Sequence, residues 1–142
     1  MAEIDFYVLE GATAPDADVF ACRLIETVFR RGAEVHVHVA DEAAARSLDE
    51  RLWSFMPGSF VPHRLVGSAG RAPVWIGWQP PEQPGEVLLT LTDEVPHFFS
   101  GFRRVLELVP ADPSGRERAR ERYRFYRERG YPLRQHKLGG GT

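Results

Sequence analysis

Apolar and polar residues along the chain follow two periods in turn, and the switching between them predicts an α/β fold. Ile4 to Leu9 is rich in β-branched and aromatic residues and predicts a strand. A helix is expected from Pro15-Asp16 to about Arg31, stopped by Gly32. On its wheel Phe20, Ala21, Cys22, Leu24, Ile25, Val28 and Phe29 fill one half, and Arg23, Glu26, Thr27 and Arg30 fill the other. Val35-His36-Val37-His38-Val39 alternates strictly, which predicts a second strand. Asp41 is placed to cap a second helix, in which Ala45, Leu48, Leu52, Phe55 and Met56 share one face before Pro57-Gly58 ends it. Val74 to Trp78 is a third strand. Val87 to Leu91 is a continuous apolar run, the pattern of a central strand covered on both faces. Pro96 to Phe102 is read as a short helix, Val105 to Val109 as the last strand, and Asp112-Pro113 as the start of a final helix running to Arg129. This order of strands and helices implies right-handed βαβ units. The expected architecture is a single-domain α/β sandwich with a mainly parallel or mixed central sheet flanked by helices, resembling nucleotide-binding folds.

Two aromatic residues depart from this pattern. Trp53 falls beside Arg46 and Asp49, well off the apolar face of the second helix, and Phe60 follows the helix stop just before Pro62 stiffens the backbone. A tryptophan on the polar side of a helix leaves a large apolar surface in water unless something covers it. The pair reads either as exposed anchors of a binding surface or as a satellite core folded under the loop.

Composition narrows the setting. With 142 residues the chain has the length of one domain, assigned here to residues 1–138, with Gly139-Gly140-Gly141-Thr142 as a flexible tail. The net charge of −2 argues against a whole-molecule polyanion binder, so any nucleic-acid role needs a local basic patch. Cys22 is the single cysteine, which excludes an internal disulfide and fits a reducing compartment. No signal peptide is visible, and no apolar run approaches the ~20 residues of a membrane span. A cytoplasmic location is expected.

Candidate chemistry is sparse. The first strand-to-helix loop, Leu9-Glu10-Gly11-Ala12-Thr13-Ala14-Pro15, has one glycine, a glutamate and no lysine, which makes a poor phosphate cradle. Gly67-Ser68-Ala69-Gly70-Arg71 is glycine-rich but precedes a strand. His36 and His38 project from one face of a strand and could hold zinc with a third ligand. However, His63, His97 and His136 are scattered, and a structural role for two partly exposed histidines fits better. Ser59 with His63 lacks any recognisable oxyanion loop. Cys22 lies on the apolar half of its helix and reads as core. Carboxylates are expected on solvated helix faces. No active site, metal or cofactor is expected.

The final helix carries the clearest electrostatic pattern. Arg116, Arg120, Arg124 and Arg127 recur at three- and four-residue spacing and share one face, with Tyr123 at its margin. Glu117, Glu121 and Glu128 form a neighbouring stripe, and Arg118 lies on the opposite side. The bland reading is a solvated helix laced with ion pairs. The alternative is a site for an acidic peptide or a phosphate backbone, because guanidinium forks around an aromatic ring suit both.

A family resemblance bears on that choice. The run Leu48-Asp49-Glu50 through Leu52-Trp53, then Ser59-Phe60-Val61-Pro62-His63, resembles the chi subunit of bacterial DNA polymerase III. The likeness begins at Phe6-Tyr7-Val8-Leu9. It continues at Ala72-Pro73-Val74, Ile76, Trp78, Val109-Pro110, Ala119 to Tyr123, Tyr126-Arg127 and Gly130. The resemblance implies a non-catalytic accessory subunit of the clamp-loader assembly. Chi subunits bind the acidic C-terminal tail of the single-stranded-DNA-binding protein. Carried over by position, the residues implied for that tail are Val109, Arg116, Arg120, Tyr123, Arg124 and Arg127. Better-known members carry lysine where Arg116 and Arg124 stand, which keeps the charge but changes the hydrogen-bond geometry. The second implied partner is the psi subunit, through Trp53, Phe60, Pro62 and His63, and psi links chi to the clamp loader. DNA is reached only indirectly. The readings set beside this one are a small nucleotide- or metal-dependent enzyme and a direct DNA-binding module.

Overall fold

The computed structural model describes residues 1–10, 16–54, 63–65, 74–83 and 85–139. Its centre is a seven-stranded sheet built from β1 (Glu3–Glu10), β2 (Val35–His38), β3 (His63–Leu65), β4 (Val74–Gly77), β5 (Gly85–Thr90), β6 (Phe102–Val109) and β7 (Leu133–Gly139). The spatial order is β3-β4-β2-β5-β6-β1-β7, and every pairing among these strands is parallel.

Among the described residues, three α-helices join the strands: α1 (Ala17–Arg30), α2 (Glu42–Ser54) and α3 (Pro113–Glu128). The first two cover one face. There Ala21, Leu24 and Ile25 of α1 and Ala45, Leu48 and Leu52 of α2 are buried with Val35, Val37, Ile76, Leu89 and Leu106. Cys22 is buried in the same core. Helix α3 covers the opposite face, where Ala119 and Tyr126 pack with Ile4, Phe6, Val105 and Val109.

Each helix begins as its sequence dictates. Asp16 accepts a hydrogen bond from the Asp18 amide (2.9 Å), and Asp41 accepts one from the Ala44 amide (2.8 Å). Asp112 accepts from the Gly115 amide (2.8 Å), with Pro113 in the first turn. Gly115 is required there, since a Cβ would collide with the Pro110 ring and the Asp112 carboxylate. Gly32 and Gly130 follow α1 and α3 with φ of +82° and +78°, the left-handed conformation that ends a helix cleanly.

Several expectations change. Val105–Val109 is not the last strand: β6 starts earlier, at Phe102, and β7 follows α3 and pairs with β1. The expected helix at Pro96–Phe102 is a single 3₁₀ turn, Phe99–Gly101. Strand β4 stops at Gly77, short of Trp78. The tail assigned to Gly139–Thr142 begins inside β7, and residues 140–142 lie outside the described residues.

Not all carboxylates lie on solvated helix faces. Asp5 and Glu107 sit on strands and are fully buried. Asp5 accepts from Arg104 (2.7 Å), Arg134 (3.0 Å) and His136 (3.0 Å). Burial alone would raise its pKa, but the bonds from His136 and Arg104 and the charges of Arg104 and Arg134 outweigh burial and hold the carboxyl below its usual range. Glu107 meets Arg122 (2.9 Å) and the Tyr126 hydroxyl (2.7 Å).

His36 is also more deeply placed than the partly exposed histidine expected, at 9% exposure, with Phe98 and Phe102 about its ring. Burial, reinforced by the nearby His38 charge, lowers its pKa from 6.5 to about 4. A depressed histidine stabilises the fold fully above its unfolded pKa and ceases to do so as pH falls through the folded value. Stability is therefore expected to decline between pH 6.5 and pH 4, by on the order of 3 kcal/mol from this residue. Denaturant titrations across that range, comparing the wild type with His36→Leu, would isolate the contribution. Parallel pH profiles for the two proteins would assign the decline elsewhere.

Candidate functional site

The connections set up a crevice. Strand β1 leads into α1 on one face, whereas its neighbour β6 leads into α3 on the other. Adjacent parallel strands whose crossovers diverge in this way leave an opening beyond their carboxyl ends, where such sheets commonly bind ligands. Here the opening continues downward as a cleft of about 430 Å³ between α3 and β7.

Register builds the floor. Val109, Val8 and Lys137 lie side by side across β6, β1 and β7, and Phe6 lies beside Gln135. Helix α3 forms the wall with Arg116, Ala119, Arg120, Tyr123, Arg124 and Arg127. The Tyr123 ring meets Phe6 edge to face at 5.2 Å, so it forms an apolar shelf supported from below. The six positions singled out on and before the last helix, Val109, Arg116, Arg120, Tyr123, Arg124 and Arg127, thus come together around one cleft.

The cations there are differently engaged. Arg116 pairs with Glu10 at 3.4 Å. Arg120 pairs with Glu117 at 3.3 Å, both side chains largely in solvent, an arrangement worth little. Arg124, Arg127 and Lys137 form no ion pair with a described residue. Glu10 is the one carboxylate lining the cleft among the described residues. The result is a basic trough with an aromatic and aliphatic floor, suited to a ligand that brings several negative charges and one apolar group.

Gln135, Lys137, Phe6, Val8 and Glu10 were not expected in a site. Phe6 and Val8 were legible only as strand residues, and Lys137 had no strand to place it. The other side of α3 is different in kind. Arg118 pairs with Asp93 at 3.0 Å, facing away from the cleft. Arg122 is buried at 7% exposure and ties the helix to the sheet.

The second group of candidates is less complete. Trp53 is 56% exposed on α2. Phe60 and Pro62 lie outside the described residues, as do Phe55, Met56, Ser59 and the Gly11–Pro15 and Gly67–Arg71 loops. His63 opens β3. Of these four candidates, only Trp53 has its side chain among the described residues. Among the described residues, no group of three or more His, Cys, Asp or Glu is placed to hold a metal ion, and no helix is long and apolar enough to cross a membrane.

Comparison with known proteins adds to this geometry. Residues 1–134 match the family described as DNA polymerase III chi subunit, HolC. The DNA polymerase III subunit chi of Pseudomonas aeruginosa is 45% identical over 139 residues, covering 97% of this chain and 98% of that protein. The subunit chi of Haemophilus influenzae is 34% identical over 138 residues, and that of Escherichia coli 34% over 141 residues. Each alignment covers 94% of this chain and 96% of the relative.

Proposed function

This chain belongs to the DNA polymerase III chi subunit family, and we propose that it works as a non-catalytic adaptor of the replicative polymerase. In this reading the α3–β7 cleft holds the acidic C-terminal tail of the single-stranded-DNA-binding protein, and the Trp53–Phe60 surface holds the psi subunit. The clamp loader is reached through psi, and DNA only through its coat protein. The adaptor acts by tethering: each linkage raises the effective concentration of the clamp loader near coated template without any chemistry of its own.

The observation that carries the reading is the composition of the cleft. Arginines on three successive turns of α3, with the Tyr123 shelf among them, stand over a floor that includes Phe6, Val8 and Val109. A nucleic-acid strand would meet the cations with its phosphates and would need its bases to stack on that floor. A peptide ending in an aromatic residue and a free carboxylate uses both. The test is calorimetric titration with intact single-stranded-DNA-binding protein and with a form lacking its acidic tail. Binding confined to the intact form supports the reading. Equal binding to both, or tighter binding to a bare oligonucleotide, would replace it with direct nucleic-acid recognition.

For the second surface, Phe60→Ala is expected to weaken psi by ~2–4 kcal/mol, the usual cost of truncating an interface aromatic, while leaving thermal unfolding of the isolated chain unchanged. A large drop in melting temperature, with no added loss of psi affinity, would make Phe60 a core residue instead.

A further inference from the structure

The geometry points to Glu10 as an internal occupant of the cleft: in the empty protein its carboxylate holds Arg116, and an acidic ligand must displace it. This inference rests on the tail-binding reading and concerns how selective that site is. Glu10 ends β1, on the same face as Phe6 and Val8, and its Oε2 lies 3.4 Å from Arg116 Nη2. Neither side chain of the pair is deeply buried, at 27% and 37% exposure for Arg116 and Glu10. The contact is therefore weak enough to exchange.

Its position makes exchange consequential. Arg116 is the uppermost cation of the α3 wall, at the mouth of the crevice, while Arg124 and Arg127 lie lower and carry no ion pair with a described residue. An incoming peptide meets open cations in the lower cleft and an occupied one at the mouth. To engage Arg116 it must supply a carboxylate that replaces Glu10, and it must then tolerate Glu10 as a like charge nearby. A ligand with a single negative charge has no reason to go there, because open arginines serve it better. A ligand with several acidic residues fills the lower cleft first and spends its remaining charge at Arg116. Glu10 thus sets a threshold of negative charge for full occupancy, and it keeps lone anions from Arg116.

The experiment is a double-mutant cycle read by calorimetry with an acidic peptide ending in a free phenylalanine carboxylate. Wild type, Glu10→Gln, Arg116→Ala and the double variant are compared. Glu10→Gln is expected to bind roughly three- to tenfold tighter than wild type, the scale of one exposed ion pair plus the repulsion it replaces. In the Arg116→Ala background most of that gain should vanish, because no guanidinium remains to be freed. Glu10→Asp keeps the charge but shortens the reach, and should recover part of the gain. Thermal unfolding of each variant checks that the fold is kept. Unchanged or weaker binding by Glu10→Gln would overturn the inference and make Glu10 a positioning residue for Arg116. A gain that persists without Arg116 would overturn it too, reducing Glu10 to a general repulsive charge. Both results leave the wild-type titration, and hence the tail-binding reading, standing. Failure of wild type and Glu10→Gln alike to bind the peptide would remove both.

Discussion

Arg122→Ala is expected to destabilise the protein by about 3–5 kcal/mol, the range for removing one partner of a buried ion pair. That corresponds to a fall in melting temperature of roughly 10 °C or more for a domain of this size. The reason lies in what the guanidinium satisfies. Its Nε donates to Glu107 at 2.9 Å, and its terminal nitrogens donate to the backbone carbonyls of Asp93 (3.1 Å) and Leu108 (3.2 Å). Alanine leaves Glu107 fully buried with only the Tyr126 hydroxyl, at 2.7 Å. Burial already pushes the Glu107 carboxyl up to about 7 against the opposing pull of Arg122 and Tyr126, so losing Arg122 pushes it higher.

The sign of the pH dependence follows. A carboxyl raised above its unfolded value is harmless to the fold while protonated, and costs stability as pH climbs through the folded pKa. The deficit of Arg122→Ala relative to wild type should therefore be smaller at pH 5 than at pH 8. Arg122→Lys should fall between, since one ammonium can meet Glu107 but not both carbonyls as well. Denaturant unfolding at the two pH values measures this. A deficit under 1 kcal/mol, or one equal at both, would show that Glu107 finds another partner. The consequence extends to the cleft, because Arg122 holds α3 on the sheet from the side opposite Arg120 and Arg124.

This network also marks where the sequence was legible and where it was not. Helical periodicity placed Arg116, Arg120, Arg124 and Arg127 on one face with Tyr123 at its margin, and the structure gathers all five around one cleft. The face turned to the sheet was harder to read. Gly115, Ala119, Arg122 and Tyr126 are the buried positions of α3, and an arginine among them looks like one more solvated charge. A signal was present on the strand: Glu107 stands between Leu106 and Leu108 in an otherwise apolar run. A carboxylate so placed needs a buried cation. Asp5, between Ile4 and Phe6, posed the same question, and Arg104, Arg134 and His136 answer it.

Strand β7 was illegible for a different reason. Leu133-Arg134-Gln135-His136-Lys137-Leu138 has no alternation of apolar and polar residues. It forms a strand because β1 offers an unpaired edge. Arg134 and His136 then find Asp5 on one face, while Gln135 and Lys137 face the cleft on the other. Tertiary pairing overrode weak local preference. With β7 unseen, the cleft lacked the outer strand of its floor, and Lys137 could not be anticipated.

Arg120→Ala is expected to weaken binding of an acidic peptide with a free C-terminal phenylalanine by roughly tenfold or more, as loss of a charged hydrogen bond would. Arg120 lies between Arg116 and Arg124 along the wall, and its existing contact to Glu117 is solvent-exposed and easily released. Arg118→Ala is the control, because Arg118 faces Asp93 on the far side of the same helix and should matter little. Lys137→Ala should cost less than Arg120→Ala, since an ammonium offers charge without a planar fork. Amidating the peptide should cost about as much as losing Arg120, by removing the group that a fork grips. Salt separates the two parts of the interaction. The Debye length falls from about 10 Å at 0.1 M to about 3 Å at 1 M, so the arginine contribution should shrink. Contact of the phenylalanine ring with Phe6, Val109 and Tyr123 should persist, leaving weaker but measurable binding at high salt. Titration calorimetry over this set decides the matter. Equal losses at Arg118 and Arg120, indifference to amidation, or complete loss at high salt would each reduce α3 to a generally basic, solvated surface. Loss graded with each residue's place on the cleft wall, with a remainder that salt cannot remove, requires the charged wall and the apolar floor to act on one ligand.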